Sequence, residues 1–149
     1  MSEPPAPDFA ARVAAAKNAG EFTRLVHDVP FARMLGLSLA FVDDELVGRL
    51  AYAPRNIGNA ALPALHGGTI AALLESTAIF AIIWEKDPPV LPRIVSITVE
   101  YLRTGKPVET SAHARITRAG RRIANVHAAA WQDDRARPIA TASAIFLLG

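Results

Sequence analysis

The segment Leu65-His66-Gly67-Gly68 and the run behind it, TIAALLESTAIFAIIW at residues 69–84, decide the fold of this chain. The run contains no Gly, Pro, Lys or Arg, and its polar side chains are those of Thr69, Glu75, Ser76 and Thr77. A helix at a protein surface carries a polar stripe along one side. Because this run is apolar almost all round, it predicts a long helix buried in a protein core.

A membrane span is the alternative interpretation, since the run approaches the length that crosses a bilayer. Glu75 lies near the middle of the run, where a carboxylate in hydrocarbon is costly. The flanks also lack the basic cluster and the aromatic belt of an anchored span. The sequence therefore favours a buried helix in a protein without a membrane partner.

The start of this helix has the features of a site that binds a carbonyl group. Gly67 and Gly68 fall in the first turn, where backbone N–H groups lack partners, the helix dipole is positive, and no side chain blocks a ligand. A carbonyl oxygen placed there meets an oxyanion hole. Glu75 lies about eight residues further on, roughly 12 Å along the axis. One carbonyl cannot contact both groups of one helix, so either the groups are unrelated or two chains share the site.

The composition is that of a single globular domain. Of the 149 residues, 51% are hydrophobic and 20% are charged. The net charge is only +2 and the basic residues are spread along the chain, which argues against a nucleic-acid partner. The chain has no cysteine, which excludes a disulfide framework, a thiolate metal site and a thiol nucleophile. The N-terminus has no basic start with an apolar signal core, so we expect a cytoplasmic protein.

The chain divides into three parts. Residues 1–7 are rich in Pro and Ala and are predicted to be disordered, residues 8–35 predict short helical segments, and residues 36–149 form the main domain. Runs of alternating apolar and polar residues between turn signals predict strands at 37–42, 46–52, 93–103, 108–117, 123–132 and 139–148. Together these elements predict an α+β fold, in which an antiparallel sheet of five or six strands wraps around one long helix.

A loop at residues 53–64 delivers the chain to His66. Its amides Asn56 and Asn59 have two interpretations that the sequence does not separate. They line a substrate site beside the helix start, or they are ordinary turn formers.

The motifs and the order of the elements resemble those of the PaaI-type acyl-CoA thioesterases, which have the hotdog fold. The resemblance rests first on Leu65-His66-Gly67-Gly68 with an acid nine residues after the histidine. Val99-Glu100-Tyr101-Leu102-Arg103 and Gly120-Arg121-Arg122 are also similar to patterns of that family. The resemblance covers roughly residues 31–148.

The resemblance implies a homodimer, often assembled into a homotetramer, with two sites at the dimer interface. It implies that Gly68, beside Gly67, is the oxyanion donor, and that His66 shapes the loop. Glu75 from the partner chain is then the base or the nucleophile. The substrate it implies is an acyl-CoA with a small or medium aryl or alkyl acyl group. It implies no metal and no cofactor, because CoA is part of the substrate.

The sequence departs from the family at three positions. Glu75 stands where the PaaI group has Asp, although related hotdog thioesterases acting on aromatic acyl-CoA use Glu. The amide six residues before the histidine falls on Ala60, with Asn59 one place off. A hydroxyl residue early in the strand after the helix falls on Ile94, with Ser96 nearby.

Basic residues near predicted strand ends and turns are candidates for binding the phosphates of CoA. These residues are Arg103, Lys106, Arg121 and Arg122, and solvated surface charge is the alternative for each of them.

Three functions fit the pattern. Thioester hydrolysis comes first, because it needs only a polarised carbonyl and an activated oxygen. A non-catalytic module that binds acyl-CoA would use the same cleft. An acyl dehydratase has a catalytic histidine in the loop before the helix, where this chain has Ala61.

Overall fold

Three short helices precede the sheet in the computed structural model, which describes residues 8–149. They are α1 (Phe9–Ala19), α2 (Thr23–His27) and α3 (Pro30–Leu35). The side chain of Asp8 caps α1 by accepting a hydrogen bond from the N–H of Ala10, and Gly20 ends the helix at a φ of 64°. The disorder predicted for residues 1–7 concerns a part of the chain outside the described residues.

Six strands form one antiparallel sheet. The chain forms β1 (Leu37–Val42), β2 (Glu45–Leu50), a two-stranded hairpin of β3 (Ile57–Asn59) and β4 (Ala64–Leu65), then β5 (Pro92–Tyr101), β6 (Thr110–Ala119), β7 (Ile123–Trp131) and β8 (Ala140–Leu148). The order in the sheet is β1-β2-β6-β7-β8-β5. Asp43 and Asp44 form the tight turn between β1 and β2 with positive φ angles of 50° and 63°, as short aspartate side chains tolerate.

The long helix α4 (Gly67–Glu85) lies across the concave face of the sheet and packs on β2, β6 and β7. Alternate residues of the strands point at it, and on β6, β7 and β8 most of these are alanines, which let the helix approach closely. At Gly48 of β2 the approach is closest, because a Cβ there would overlap the hydroxyl of Thr77. The predicted α+β architecture, a sheet wrapped around one long helix, is confirmed with six strands.

The helix α4 is long and apolar enough to span a bilayer, but half of its apolar window is buried inside the protein. Its buried residues belong to one continuous core with the inner face of the sheet and with α1 and α2. The helix is therefore the centre of a packed domain, as the sequence indicated.

Within the described chain, α4 is not covered on every side. The sheet covers only one side, so a stripe of α4 that includes Ala72, Glu75 and Ile79 is half-buried. The edge strand β5 pairs with β8 on one side only within the described residues. Val95 on this strand is 63% exposed. The open stripe and the free edge leave apolar surface available for a further layer of protein.

Candidate active site

His66 is the N-cap of α4. Its backbone is extended, with a φ of −64° and a ψ of 129°, and its Nδ1 accepts a hydrogen bond from the N–H of Gly68 at 2.8 Å. This is the ordinary N-cap bond, in which a side-chain acceptor satisfies one of the unpaired amides of the first turn. The N–H of Gly68, predicted to be the oxyanion donor, is therefore engaged within the chain.

The free donor at the helix start is the N–H of Gly67. Among the described residues it has no hydrogen-bond acceptor, whereas the next amides of the turn, those of Gly68 and Thr69, bond to His66. The carbonyl of Gly67 accepts a hydrogen bond from the hydroxyl of Tyr101 at 2.7 Å. The helix start therefore holds one unpaired amide in an ordered turn.

Three positions at this turn are glycines with no space for a side chain, because Tyr101 and His66 lie against them. A Cβ at Gly67 would lie 3.1 Å from the ring of Tyr101, and one at Gly68 would lie 2.9 Å from Nδ1 of His66. On the other side of the imidazole, a Cβ at Gly58 would lie 2.7 Å from the Cα of His66. Any of these substitutions forces the turn or the ring to move.

Glu75 is half-buried on the open stripe of α4. Within the described part of the chain its carboxylate has no hydrogen-bond or ion-pair partner. Its neighbours at helical spacing are Ala71, Ala72, Ala78 and Ile79, which offer no donor side chain. With roughly 12 Å of helix between Glu75 and Gly67, the two groups do not meet on one carbonyl within a single chain.

A shallow, open cleft of about 470 Å³ lies beside the helix start. Gly67, Tyr101 and Arg103 line it together with Leu62, Leu65, Ile70 and Leu102. Gly67, whose N–H is unpaired, is therefore one of the residues that line this cleft.

The two predicted loop amides act as structural groups in this chain. Asn56 is 1% exposed, and its side-chain amide donates a hydrogen bond to the carbonyl of Leu35 at 3.2 Å. The backbone carbonyl of Asn56 accepts a hydrogen bond from the backbone N–H of His66 at 2.8 Å, so Asn56 holds the loop that carries the N-cap residue. Asn59 is exposed, and its side-chain oxygen accepts from the N–H of Ala61 at 3.0 Å, which makes a local turn.

Ser96 lies away from the helix. It pairs with Ile145 of β8, on the convex face of the sheet, and a bulge separates it from Ile94. Ile94 pairs with the buried Phe146 and lies on the concave face. In one chain, Ser96 is therefore not brought together with His66, Gly67 or Glu75.

The predicted phosphate-binding residues fall into two groups at opposite ends of the sheet. Arg103 and Lys106 follow Tyr101, at the end where α4 begins. Arg121 and Arg122 precede Ile123, which pairs with Leu147 at the far end of β8. These two arginines line an open groove of about 660 Å³ with Arg118, and no acidic residue lines it.

A charged cluster on the convex face is separate from the helix start. Arg135 donates a hydrogen bond to Glu45 at 2.6 Å, and this bond lowers the pKa of that carboxyl. Burial lowers the pKa of His113, and the nearby charge of Glu45 opposes the effect. The side chain of His113 is partly buried on this outer face, with Nε2 at 3.8 Å from Oε1 of Glu45. No group of acidic, histidine or cysteine residues in the described range could hold a metal ion.

Comparison with known proteins identifies the family. Residues 54–147 match the family described as acyl-CoA thioesterase N-terminal domain. The medium/long-chain acyl-CoA thioesterase YigI of Salmonella typhimurium is 29% identical over 139 residues, covering 83% of this chain and 88% of that protein. The family match spans the start of α4 and the strands β5 to β8 that follow it.

Solved structures agree in fold. A crystal structure of a Chromobacterium violaceum protein superposes with a TM-score of 0.76 at 35% identity, covering 93% of this chain and 97% of that one. A thioesterase-like protein of Ralstonia eutropha, described as phenylacetic acid degradation-related, superposes with a TM-score of 0.72 at 21% identity, covering 85% and 98%. The chain is therefore a hotdog-fold thioester hydrolase that belongs to the acyl-CoA thioesterase family.

Proposed function

We propose that two copies of this chain form a dimer that hydrolyses medium-length alkyl or aryl acyl-CoA at sites shared between the copies. The observation that carries this proposal is the pair of unpartnered groups on α4, the N–H of Gly67 and the carboxylate of Glu75. Each is one half of a thioester hydrolysis site, and their separation along one helix requires that the halves come from different chains.

Gly67 is the oxyanion donor in this proposal, in place of Gly68. Its N–H is unpaired at the positive end of α4, and the missing side chain leaves the amide open beside the cleft. A donor that is already in place when charge develops on the thioester oxygen lowers the barrier without reorganisation.

Glu75 of the other chain activates the attacking oxygen. Dimer formation covers the half-buried stripe of α4, and the carboxylate then loses water on a surface of alanines and Ile79. It acts either as the general base for a water molecule or as the nucleophile that forms an acyl-enzyme anhydride. In the first route water adds to the acyl carbon, and the proton taken up by Glu75 passes to the departing CoA thiolate. In the second route the CoA thiolate leaves as the anhydride forms, and water then hydrolyses the anhydride to the free acid and restores the carboxylate.

The free edge of β5 supports pairing with a second copy. It is ten residues long and carries exposed apolar side chains, a template for strand addition that monomeric proteins avoid. A two-fold axis pairs two such edges antiparallel, so the Pro92 end of each strand meets the Tyr101 end of the other. Arg93 and Glu100 lie near opposite ends of the strand on the convex face, so an antiparallel pair places the arginine end of one strand beside the glutamate end of the other.

The same geometry supports a role for the distant arginines in binding CoA. Arg121 and Arg122 lie at the Pro92 end of the sheet. In the antiparallel dimer this end lies beside the Tyr101 end of the other chain, where that chain's Gly67 is found. Guanidinium groups there match the phosphates of the CoA nucleotide. Arg103 lies at the Gly67 end of its own chain and completes the basic rim.

The acyl group is proposed from the walls of the site. The cleft beside Gly67 is lined mainly by leucine, isoleucine and tyrosine side chains, which accept a flexible alkyl or aryl chain and offer few polar groups to a hydroxylated one. The similarity to a protein named medium/long-chain acyl-CoA thioesterase supports the same choice.

Release of free thiol from a panel of acyl-CoA substrates tests the proposal. We expect turnover that rises from acetyl-CoA to medium-chain and phenylacyl-CoA, and loss of that turnover in Glu75→Gln. Binding of acyl-CoA without thiol release would instead establish a non-catalytic binding module. Hydration of an enoyl-CoA without thiol release would establish a dehydratase.

A further inference from the structure

One peptide group joins two aromatic side chains at the helix start. The Gly67–Gly68 peptide accepts a hydrogen bond from the Tyr101 hydroxyl on its carbonyl, at 2.7 Å. The N–H of the same peptide donates to Nδ1 of His66, at 2.8 Å. A donor bound to a peptide carbonyl polarises the group and strengthens the bond that its N–H makes. Tyr101 and His66 are therefore coupled through a single polarised peptide, although they are distant in sequence.

The coupling assigns the tautomer of His66. A peptide N–H only donates, so Nδ1 must offer its lone pair to Gly68. In a neutral imidazole the proton then resides on Nε2. Neutral His66 is thus a hydrogen-bond donor through Nε2, and it has no lone pair there with which to take a proton.

The imidazole is held so that the Nε2 edge is the one left for a ligand. Gly68 lies against Nδ1 and Cε1, and Gly58 lies against Cα, Cβ and Cδ2 of His66. The residue is exposed, and within the described residues Nε2 has no hydrogen-bond partner. The ring is therefore ordered by its inner nitrogen, and its outer N–H is left without a partner among the described residues, on the residue that directly precedes Gly67.

We propose that His66 is a second oxyanion donor and that Tyr101 is its positioning residue. This inference rests on the proposed thioester hydrolysis at the start of α4. The Nε2–H of His66 and the N–H of Gly67 together bind the thioester oxygen, and the Tyr101 hydroxyl keeps His66 in the donating tautomer through the Gly67–Gly68 peptide. The same tautomer leaves the base or nucleophile role to Glu75.

A pair of substitutions at His66 separates a donor from a simple helix cap. Asparagine keeps an acceptor at the position of Nδ1 and is a strong N-cap, but it offers no group at the position of Nε2. Glutamine reaches the position of Nε2 with its amide and loses the cap geometry. We expect His66→Asn to keep the parental melting temperature and to lower kcat about 10²- to 10³-fold, the usual cost of one oxyanion donor.

We expect His66→Gln to show the opposite order, with a lower melting temperature than His66→Asn and a higher kcat per folded molecule. If His66 were only a cap, activity would follow stability, and His66→Asn would be the better enzyme of the two. Parental kcat in His66→Asn, or activity that follows melting temperature across the pair, overturns the inference.

Nitrogen NMR on the protein with ¹⁵N-labelled histidine tests the tautomer without reference to activity. The signals of His66 are assigned by their disappearance in His66→Asn. We expect Nε2 to carry the proton in the parent, and Tyr101→Phe to raise the share of the Nδ1–H form. A parent in the Nδ1–H form contradicts the inference whether or not hydrolysis is found. A parent in the Nε2–H form that releases no thiol from any acyl-CoA contradicts the proposed function itself.

Discussion

At the scale of single residues, Glu75 carries the sharpest prediction. Its carboxylate has no partner in the described chain, so Glu75→Gln breaks no hydrogen bond or ion pair there, and the fold is expected to survive. Loss of a general base costs about 10²- to 10⁴-fold in rate. We therefore expect kcat to fall by that factor, with KM for acyl-CoA nearly unchanged and the melting temperature kept. Steady-state kinetics and thermal unfolding on the same preparation check it.

Glu85 provides the matched control for this substitution. It lies in the last turn of the same helix and is exposed, so Glu85→Gln removes the same charge at a distance from the open stripe. Parental kcat is expected for this variant. An equal loss of kcat in both variants would mean that the charge of α4, not the position of Glu75, governs turnover.

His113 gives a prediction on pH. Burial holds the pKa of His113 in the folded protein below its ordinary value of 6.5, so the unfolded chain takes up a proton first as the pH falls. The folded state therefore loses stability below that value, and the loss is complete once the pH is below the folded pKa. His113→Gln should reduce the loss between about pH 7 and about pH 5, as measured by urea unfolding. His127→Gln, at an exposed position on β7, is the matched control for the substitution.

The residues at the site show which parts of it the sequence could predict. The acid was found because it interrupts an otherwise apolar run, and the two glycines because they stand directly before that run, and both are local signals. The resemblance assigned the oxyanion to Gly68, but which of the two glycine amides is free depends on which way the imidazole of His66 turns, and the sequence does not show that. Tyr101 was missed as a site residue, because its bond to Gly67 joins positions far apart in the sequence. Asparagine is common in turns, so the sequence did not distinguish Asn56 from an ordinary turn residue. Its burial and its backbone hydrogen bond with His66 show that it supports the loop.

At the scale of secondary-structure elements, the packing of α4 on β2 depends on Gly48. A Cβ at this position would overlap the hydroxyl of Thr77 and lie 3.3 Å from Leu73. Overpacking of this kind costs about 1–3 kcal/mol, so we expect Gly48→Ala to lower the free energy of unfolding by that amount. Combining it with Thr77→Ala removes the hydroxyl and should recover part of the loss, as a double-mutant cycle in urea measures.

Gly120→Ala is the control for this packing prediction. The nearest atom to a Cβ at Gly120 is 3.8 Å away and its φ is not positive, so the substitution should change stability little. If Gly48→Ala is as mild as Gly120→Ala, the helix and β2 are not in the close contact described here. Full additivity of Gly48→Ala and Thr77→Ala would lead to the same conclusion.

The elements also differ in how far their pattern could be interpreted. Period-two alternation located the long strands, because one face of each meets α4 and the other meets solvent. The apolar pattern of α4 could not show what covers its outer side. An apolar residue is expected there whether its own chain or a second copy covers it. The open stripe around Glu75 became visible only when the sheet was seen to cover one side of the helix.

At the scale of the whole molecule, the proposed site exists only in an assembly. Gly67 and Glu75 lie on one helix but serve different sites, so each dimer has two sites and each site uses one group from either chain. Two inactive variants can then complement each other. Glu75→Gln removes the acid, and Gly67→Val forces a side chain against the ring of Tyr101 at the position of the free amide.

Mixing these two variants after reversible dissociation should restore activity. In a hybrid dimer one site receives both defects and the other receives intact Gly67 from one chain and intact Glu75 from the other. Random exchange makes about half of the dimers hybrid, so about a quarter of the parental sites should return. A chain carrying both substitutions, mixed with Glu75→Gln, has no intact pair and should recover nothing. Mass spectrometry shows whether hybrid dimers have formed. Hybrids that form and yet stay inactive would rule out the shared site, because each of them contains one site in which both groups are intact.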